Sequence, residues 1–332
     1  MGIKELKTLK GIGETTAQKL LDRGYNTIAS IAVMRNDELA AILTWSKMKA
    51  LETINDAKER SLTDAIRLFT IDEYKEEITD KIIRYHTGSN AVDAIIGGGI
   101  STNELTGLRG EYSTGKTQLC LSTAISCIAM GRKVAIVETE PGTLFQERIA
   151  EIASIRGVKI NGNKDMFVIP AKYIASPNHQ FLAYERIAME IEKGMDIGLI
   201  IIDSFAPKFR EFYPKREMFP ARSQEIMRHI GYLQSLAANY NLAVLITNQV
   251  MGVPDTNKQK QTMKEEASDK AMVLGHVLKH SVQTWLALRF QSKTQQIWKA
   301  TLFDSSHMPY GVAEFRITAA GVTDISGTKG KG

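Results

Sequence analysis

The sequence predicts an α/β protein: a mostly parallel central sheet, an antiparallel C-terminal extension, and a small all-α unit at the N-terminus. Three observations carry this. Residues 103–137 read as strand, glycine-rich loop, helix and strand in succession, the alternation that builds a parallel sheet. Ile197-Gly-Leu-Ile-Ile-Ile202 is an unbroken apolar run, as a strand covered on both faces requires. Beyond Ser281, the stretches 282–290, 296–304 and 312–318 read as strands with no helical segment between them, so they extend the sheet antiparallel.

At 332 residues the chain exceeds one minimal domain, and length alone suggests about two. A content of 43% hydrophobic and 24% charged residues is that of a soluble globular chain. No apolar run is long enough to span a bilayer, and no membrane partner is expected. The N-terminus lacks an apolar signal core, so the expected location is the cytoplasm, in the nucleoid if the chain holds DNA. The net charge of +5 is compatible with an anionic partner, but its distribution matters more. Cys120 and Cys127, seven residues apart on one predicted helix, read as small buried hydrophobes rather than a disulfide or zinc site.

Residues 1–60 form a helical region. Leu9 to Leu21 carries a helix-hairpin-helix pattern in which Gly11 and Gly13 make a tight turn. Backbone N–H groups at such a turn can take a phosphate without reading base sequence, with Thr15 or Thr16 and Lys19 assisting. The competing reading is an ordinary packing unit. Residues 38–57 read as a further helical pair. Residues 61–84 are a charged connector holding one short apolar cluster, Ile66, Leu68, Phe69 and Ile71. That cluster either docks on its own core or plugs into a neighbouring subunit. Residues 85–325 carry the alternating strands and helices, and the tail 326–332 is expected to be disordered.

Gly110, Glu111, Tyr112, Ser113, Thr114, Gly115, Lys116 and Thr117 match the pattern G-x-x-x-x-G-K-[ST] without a mismatch. The spacing has a physical reason. Glycines let the backbone curl so that its N–H groups face a β-phosphate; the lysine reaches β- and γ-phosphates; the threonine hydroxyl binds Mg²⁺. The helix that follows, 116–130, adds the positive end of its dipole. Gly131 ends it, and Val134 to Val137 make the next strand.

Asp203 ends the Ile197–Ile202 run, where α/β folds place ligands, and suits a Mg²⁺ role. A helix N-cap is its bland alternative. Hydrolysis of a triphosphate needs a carboxylate that polarises water, and Glu140 is the choice, with Glu138 the fallback. Gln249, closing the strand Leu242 to Thr247, could sense a γ-phosphate or simply cap its loop. Residues 207–222 carry Lys208, Arg210, Lys215, Arg216 and Arg222 among Phe209, Phe212, Tyr213 and Phe219, and read as mobile. Cations mixed with aromatics suit a nucleic-acid strand. Residues 251–274 are polar and carry Lys258 and Lys260 along with acids; a long loop in a compact core is functional or disordered.

Taken together, these motifs resemble the RecA-type recombinases, in particular their archaeal branch. The resemblance covers nearly the whole chain. Its further anchors are Thr87-Gly-Ser89 with Gly97-Gly-Gly-Ile100, Gln118, Gln146-Glu-Arg148, Thr247-Asn-Gln-Val250, Gly275-His276 before His280-Ser281, and Asp304-Ser-Ser-His-Met-Pro309. It implies a RecA-like ATPase core behind a helix-hairpin-helix DNA-binding domain, using ATP and Mg²⁺. It further implies a helical filament on single-stranded DNA that pairs with a homologous duplex, served by recombination mediators. By matching position, Lys116 and Thr117 hold phosphates and Mg²⁺, Glu140 activates water, and Arg148 stacks on adenine. Gln249 and His276 link the γ-phosphate to the DNA loops, Asp304 to Pro309 cap a neighbour's ATP, and Arg216 and Arg222 fall in the first DNA loop. The cluster Leu68, Phe69 and Ile71 would join subunits.

The chain also departs from that pattern. Pro141 stands where glycine is usual and removes a backbone N–H. The segment before His276 lacks aromatic residues, and Leu274 replaces a glycine. The subunit motif, expected as Phe-x-x-Ala, reads Phe69 to Asp72 or Leu68 to Ile71. These bear on strand exchange and on the interface, not on the nucleotide site. They keep open a divergent relative that binds ATP and DNA and modulates a recombinase without exchanging strands. A ring-shaped motor of the same fold is the third reading.

Overall fold

The computed structural model describes residues 2–62, 67–142, 146–162, 164–249, 278, 281–292 and 294–325. The chain divides into two compact units, Met1–Asp80 and Lys81–Gly332.

The first unit is all helical. It holds α1 (Gly2–Leu6), α2 (Glu14–Leu21), α3 (Ile28–Ala32), α4 (Asn36–Leu43), α5 (Lys47–Leu62) and α6 (Ile71–Glu77). Leu6, Leu9, Leu20, Ile31, Leu39 and Ile54 converge into one small core. The turn after α1 is tied to α5, because Asp56 accepts the Lys10 N–H at 2.8 Å and the Thr53 hydroxyl donates to the Lys10 carbonyl at 2.9 Å. Capping explains the short helices. The Thr27 side chain accepts the Ser30 N–H, and that of Thr70 accepts the Glu73 N–H while Glu73 answers the Thr70 N–H.

The second unit holds β1 (Arg84–Tyr85), α7 (Asn90–Ile95), β2 (Ile100–Ser101), β3 (Leu105–Gly110), α8 (Lys116–Ala129), β4 (Lys133–Glu138), α9 (Gln146–Ile155), β5 (Met166–Ile169), α10 (Pro177–Glu192) and β6 (Ile197–Asp203). It continues through α11 (Pro207–Phe212), α12 (Phe219–Tyr240), β7 (Ala243–Gln249), β8 (Thr284–Ser292), β9 (Ile297–Ser305), β10 (Gly311–Thr318) and β11 (Gly321–Asp324). Among the described residues one sheet runs β11-β10-β9-β8-β3-β7-β6-β4-β5. The six neighbouring strands β8, β3, β7, β6, β4 and β5 are parallel, and β9, β10 and β11 continue antiparallel.

Three expectations need correcting. The strand entering the glycine-rich loop starts at Leu105, not Asn103, because Asn103 takes φ +61° in a turn. The first C-terminal strand spans 284–292 and pairs parallel with β3, so the antiparallel extension begins only with β9. Residues 207–222 are not a loop. They form α11, a short 3-10 turn at Arg216–Met218 and the start of α12. Their Phe209 is not available for base stacking: it is fully buried and stacks on Phe205 at 5.0 Å between ring centroids.

Candidate active site

Strand alternation builds the site. Side chains on successive strand residues point to opposite faces. Leu199 and Ile201 of β6, Val134 and Ile136 of β4, and Ala243 and Leu245 of β7 share one core with α8 residues Leu119 and Cys120. Two residues further along each strand, the same face carries Asp203, Glu138 and Thr247, then Gln249. The parallel order places these strand ends beside the loop between β3 and α8.

The loop has the backbone the motif predicts. Ser113 and Gly115 take φ +61° and +90°, and a Cβ on Gly115 would come 2.7 Å from the Ile317 side chain. Glu111, Tyr112 and Ser113 are exposed, while Thr114 and Lys116 are buried. The Lys116 Nζ donates to the carbonyls of Gly110 at 3.0 Å and Glu111 at 2.7 Å. Burial pushes the Lys116 amine below its usual range, and Asp203 and Glu140 oppose this.

Asp203 is held at both oxygens. The Thr117 hydroxyl donates to Oδ2 at 2.7 Å and the Thr247 hydroxyl to Oδ1 at 2.6 Å. Thr247 had no role in the sequence reading, although strand alternation puts it on the face of Gln249. On the far side, Gln249 Nε2 donates to both oxygens of Glu140 at 3.3 and 3.1 Å, and the Ser204 hydroxyl donates to Oε1 at 3.5 Å. Ser204 is fixed in turn by Thr139, whose hydroxyl donates to the Ser204 carbonyl at 2.5 Å. Burial pushes the Glu140 carboxyl up and the Asp203 charge adds to this, while Arg210, the Ser204 hydroxyl and Lys116 pull it back. Glu138 lies beside Asp203 in register and lines a small cavity with Thr117 and Cys120.

The remaining candidates fall in several places. Arg148 Nε donates to the Gln118 side chain at 2.9 Å, and its terminal nitrogens meet Glu151 and the carbonyls of Thr318 and Ala319. Asp304 lies near the end of β9, opposite Trp285, and Pro309 is exposed just beyond. Lys208 is paired with Glu211 at 2.9 Å, Arg222 stacks on Phe219 at 4.0 Å from its ring centre, and Arg216 is exposed. In the first unit Lys19 and Gly11 are exposed. The Gly13 N–H, expected to face a phosphate, donates to the Thr16 hydroxyl at 2.7 Å, and that hydroxyl in turn donates to the Gly13 carbonyl at 2.9 Å. Leu68 and Ile71 are 95% and 80% exposed, and Phe69 lies under the Arg67 guanidinium. Lys258, Lys260, His276 and the tail 326–332 lie outside the described residues. No helix among the described residues is long and apolar enough to cross a membrane.

Known proteins resemble this chain over nearly its whole length. The family model described as Rad51 matches residues 78–325, and the one described as a SAM-like helix-hairpin-helix tandem matches residues 3–44. Over 328 residues the chain is 32% identical to the DNA repair and recombination protein RadA of Metallosphaera sedula, covering 97% of this chain and 96% of that protein. It is 33% identical over 328 residues to the protein of the same description from Aeropyrum pernix, covering 97% of each.

Proposed function

The chain belongs to the Rad51 family, and from that premise we propose that it is an ATP-dependent DNA recombination and repair protein. It forms helical filaments on single-stranded DNA and catalyses homologous pairing and strand exchange with duplex DNA. DNA-stimulated hydrolysis of ATP to ADP and phosphate accompanies the reaction. The observation that carries this reading is the convergence of Lys116, Thr117, Asp203, Glu140 and Gln249 at one end of the parallel sheet.

The residues present fit a magnesium nucleotide. The buried Lys116 amine donates to two neutral carbonyls, those of Gly110 and Glu111, so an anion would complete its surroundings. The loop backbone at Ser113 and Gly115 is curled as a phosphate cradle requires. Residues 110–118 would hold the phosphates, Thr117 and Asp203 would hold Mg²⁺, and Arg148, kept in place by Gln118, would border the base. When bound, the nucleotide supplies the phosphoryl group and the cation offsets its charge.

The chain's own groups do the rest. Lys116 places a fixed positive charge where negative charge develops. Glu140 accepts a proton from water, and its raised basicity suits that task. Gln249 aims Glu140, and His276 would carry the signal onward to bound DNA. Gly11, Gly13 and Lys19 in the first unit would meet DNA phosphates, with Gly13 doing so only if Thr16 releases its N–H. Lys208, Arg210, Arg216 and Arg222 form the first DNA-facing segment, and Lys258 and Lys260 belong to the second. Asp304 and Pro309 would close over the nucleotide of a neighbouring subunit, and Leu68, Phe69 and Ile71 would join subunits. The protein then works in the cytoplasm at the nucleoid, where recombination mediators would load it on DNA.

Strand-exchange product should form with ATP and Mg²⁺ and vanish in Lys116→Ala; undiminished exchange in that variant refutes the mechanism. Electron microscopy with single-stranded DNA and ATP tests assembly, since helical filaments are expected rather than closed rings or scattered small complexes.

A further inference from the structure

Asp203 closes β6 with its backbone fixed from both sides. The Thr139 N–H donates to the Asp203 carbonyl at 3.1 Å, and the Thr247 carbonyl takes the Phe205 N–H at 2.9 Å. What stays free is the carboxyl group, which turns about two side-chain torsions. A magnesium site needs that group in one orientation, because the ion tolerates little departure from octahedral geometry.

Two hydroxyls restrain the carboxyl. Thr117 donates to Oδ2 at 2.7 Å and Thr247 to Oδ1 at 2.6 Å. They are not equivalent. Thr117 stands in the first turn of α8, next to Lys116, and is only half-buried, so its oxygen is within reach of a cation. Its grip on Asp203 then depends on where the cation settles. Thr247 is completely buried. It lies one step past the pair Ile202 and Ile246, the last in the register of β6 with β7. No ion reaches it there, so it is no ligand. Its branched side chain has a restricted first torsion, and the hydroxyl is aimed at Oδ1 before any ion arrives. The same strand holds Glu140 separately, through Gln249 two residues on.

We infer that Thr247 is a positioning residue for the magnesium site: its hydroxyl fixes Oδ1 of Asp203, so that Oδ2 is presented to Thr117 and to the cation. This rests on the reading above, in which Thr117 and Asp203 hold Mg²⁺. Partners that orient a metal-holding group in this way typically change metal affinity by about 10–100-fold when removed.

The test measures binding of a fluorescent ADP, carrying a methylanthraniloyl group, to wild type, Thr247→Val, Thr247→Ser and Lys116→Ala. Each is titrated in EDTA and over a range of magnesium chloride. Thr247→Val should need at least about tenfold more Mg²⁺ than wild type to reach half of the magnesium-dependent gain in affinity, while its affinity in EDTA stays within about twofold. Thr247→Ser restores the hydroxyl without the fixed torsion and should bring the midpoint back to within about threefold. ATP hydrolysis by Thr247→Val should fall at limiting Mg²⁺. At saturating Mg²⁺ its kcat should return to within about threefold of wild type, because Gln249 still holds Glu140. An unchanged midpoint in Thr247→Val overturns the inference. So does an equal loss of affinity in EDTA, which would mark the residue as purely structural. Should the valine prevent folding, Thr247→Ala enters the same comparison with the same expected midpoint. If wild-type binding ignores Mg²⁺, or Lys116→Ala binds the nucleotide as well as wild type, the underlying reading fails and takes the inference with it.

Discussion

His229, in α12, offers a direct test of how the core of the second unit is held. It is fully buried and ringed by aromatic side chains: the rings of Phe181, Tyr184, Phe205 and Phe209 lie 5.2, 5.5, 6.2 and 4.8 Å away. Neither ring nitrogen makes a hydrogen bond among the described residues, and Glu225 Oε1, at 3.4 Å from Nε2, is already engaged by Arg228 at 2.9 Å. Burial therefore dominates, the Arg228 charge adds to it, and the imidazole is pushed down to about 3. In the unfolded chain the same group titrates near its ordinary value of about 6.5. Between those two values the unfolded state binds the extra proton, so stability falls as pH falls through this window. From pH 7 to pH 5 the loss from this group amounts to about 2 kcal/mol. Replacing it by His229→Leu removes that contribution, whatever the variant does to stability at pH 7. Guanidinium unfolding of both proteins at the two pH values, followed by near-ultraviolet circular dichroism, gives the difference of differences, in which the carboxylates common to both cancel. Wild type should lose about 2 kcal/mol more than the variant on acidification. Equal losses, within about 0.5 kcal/mol, would refute the claim that the imidazole is held neutral by its cage.

Three further outcomes follow from the site and the surface. Thr247→Val strands one buried oxygen of Asp203 and should cost the second unit about 1.5–3 kcal/mol in denaturant unfolding without nucleotide, with Thr247→Ser recovering most of it; a variant as stable as wild type would show that Thr117 alone suffices. Leu68→Asp, at a position 95% exposed, should leave monomer stability within about 0.5 kcal/mol of wild type. The same change should abolish assembly with ATP and single-stranded DNA in sedimentation, and normal assembly would remove Leu68 from the interface. Arg216→Ala should weaken single-stranded DNA binding and lower the slope of log affinity against log salt by about 1; an unchanged slope takes the exposed Arg216 out of the DNA path.

Much of the site was legible because its signals are short-range. The pattern from Gly110 to Thr117 is contiguous, and a loop's backbone geometry depends on its own residues. Asp203 could be placed because an unbroken apolar run must end at the rim of a buried sheet. Residues 207–222 misled because cations among aromatics look alike whether the rings face DNA or the core. Only the packing of Phe205, Phe209 and His229 shows that one of those rings is inside. At the Gly13 turn the sequence could not show that the Thr16 hydroxyl takes its N–H.

By itself, then, the sequence determined the α/β class, the curled glycine-rich loop, the strand-end acid and the family to which the chain belongs. Tertiary structure decided which groups act together. Strand β7 lies between β3 and β6, and this brings Thr247 onto Asp203 across 44 residues of chain and Thr117 onto it across 86. It separates Glu140, held by Gln249, from Glu138, which stays beside Asp203. It also explains Gly107, where a Cβ would lie 2.3 Å from the Trp285 ring of the adjacent strand. Turns, caps and apolar runs are set by neighbours in the chain. Contacts between strand ends depend on the order of the sheet, and that order is chosen by burial of the whole apolar surface at once.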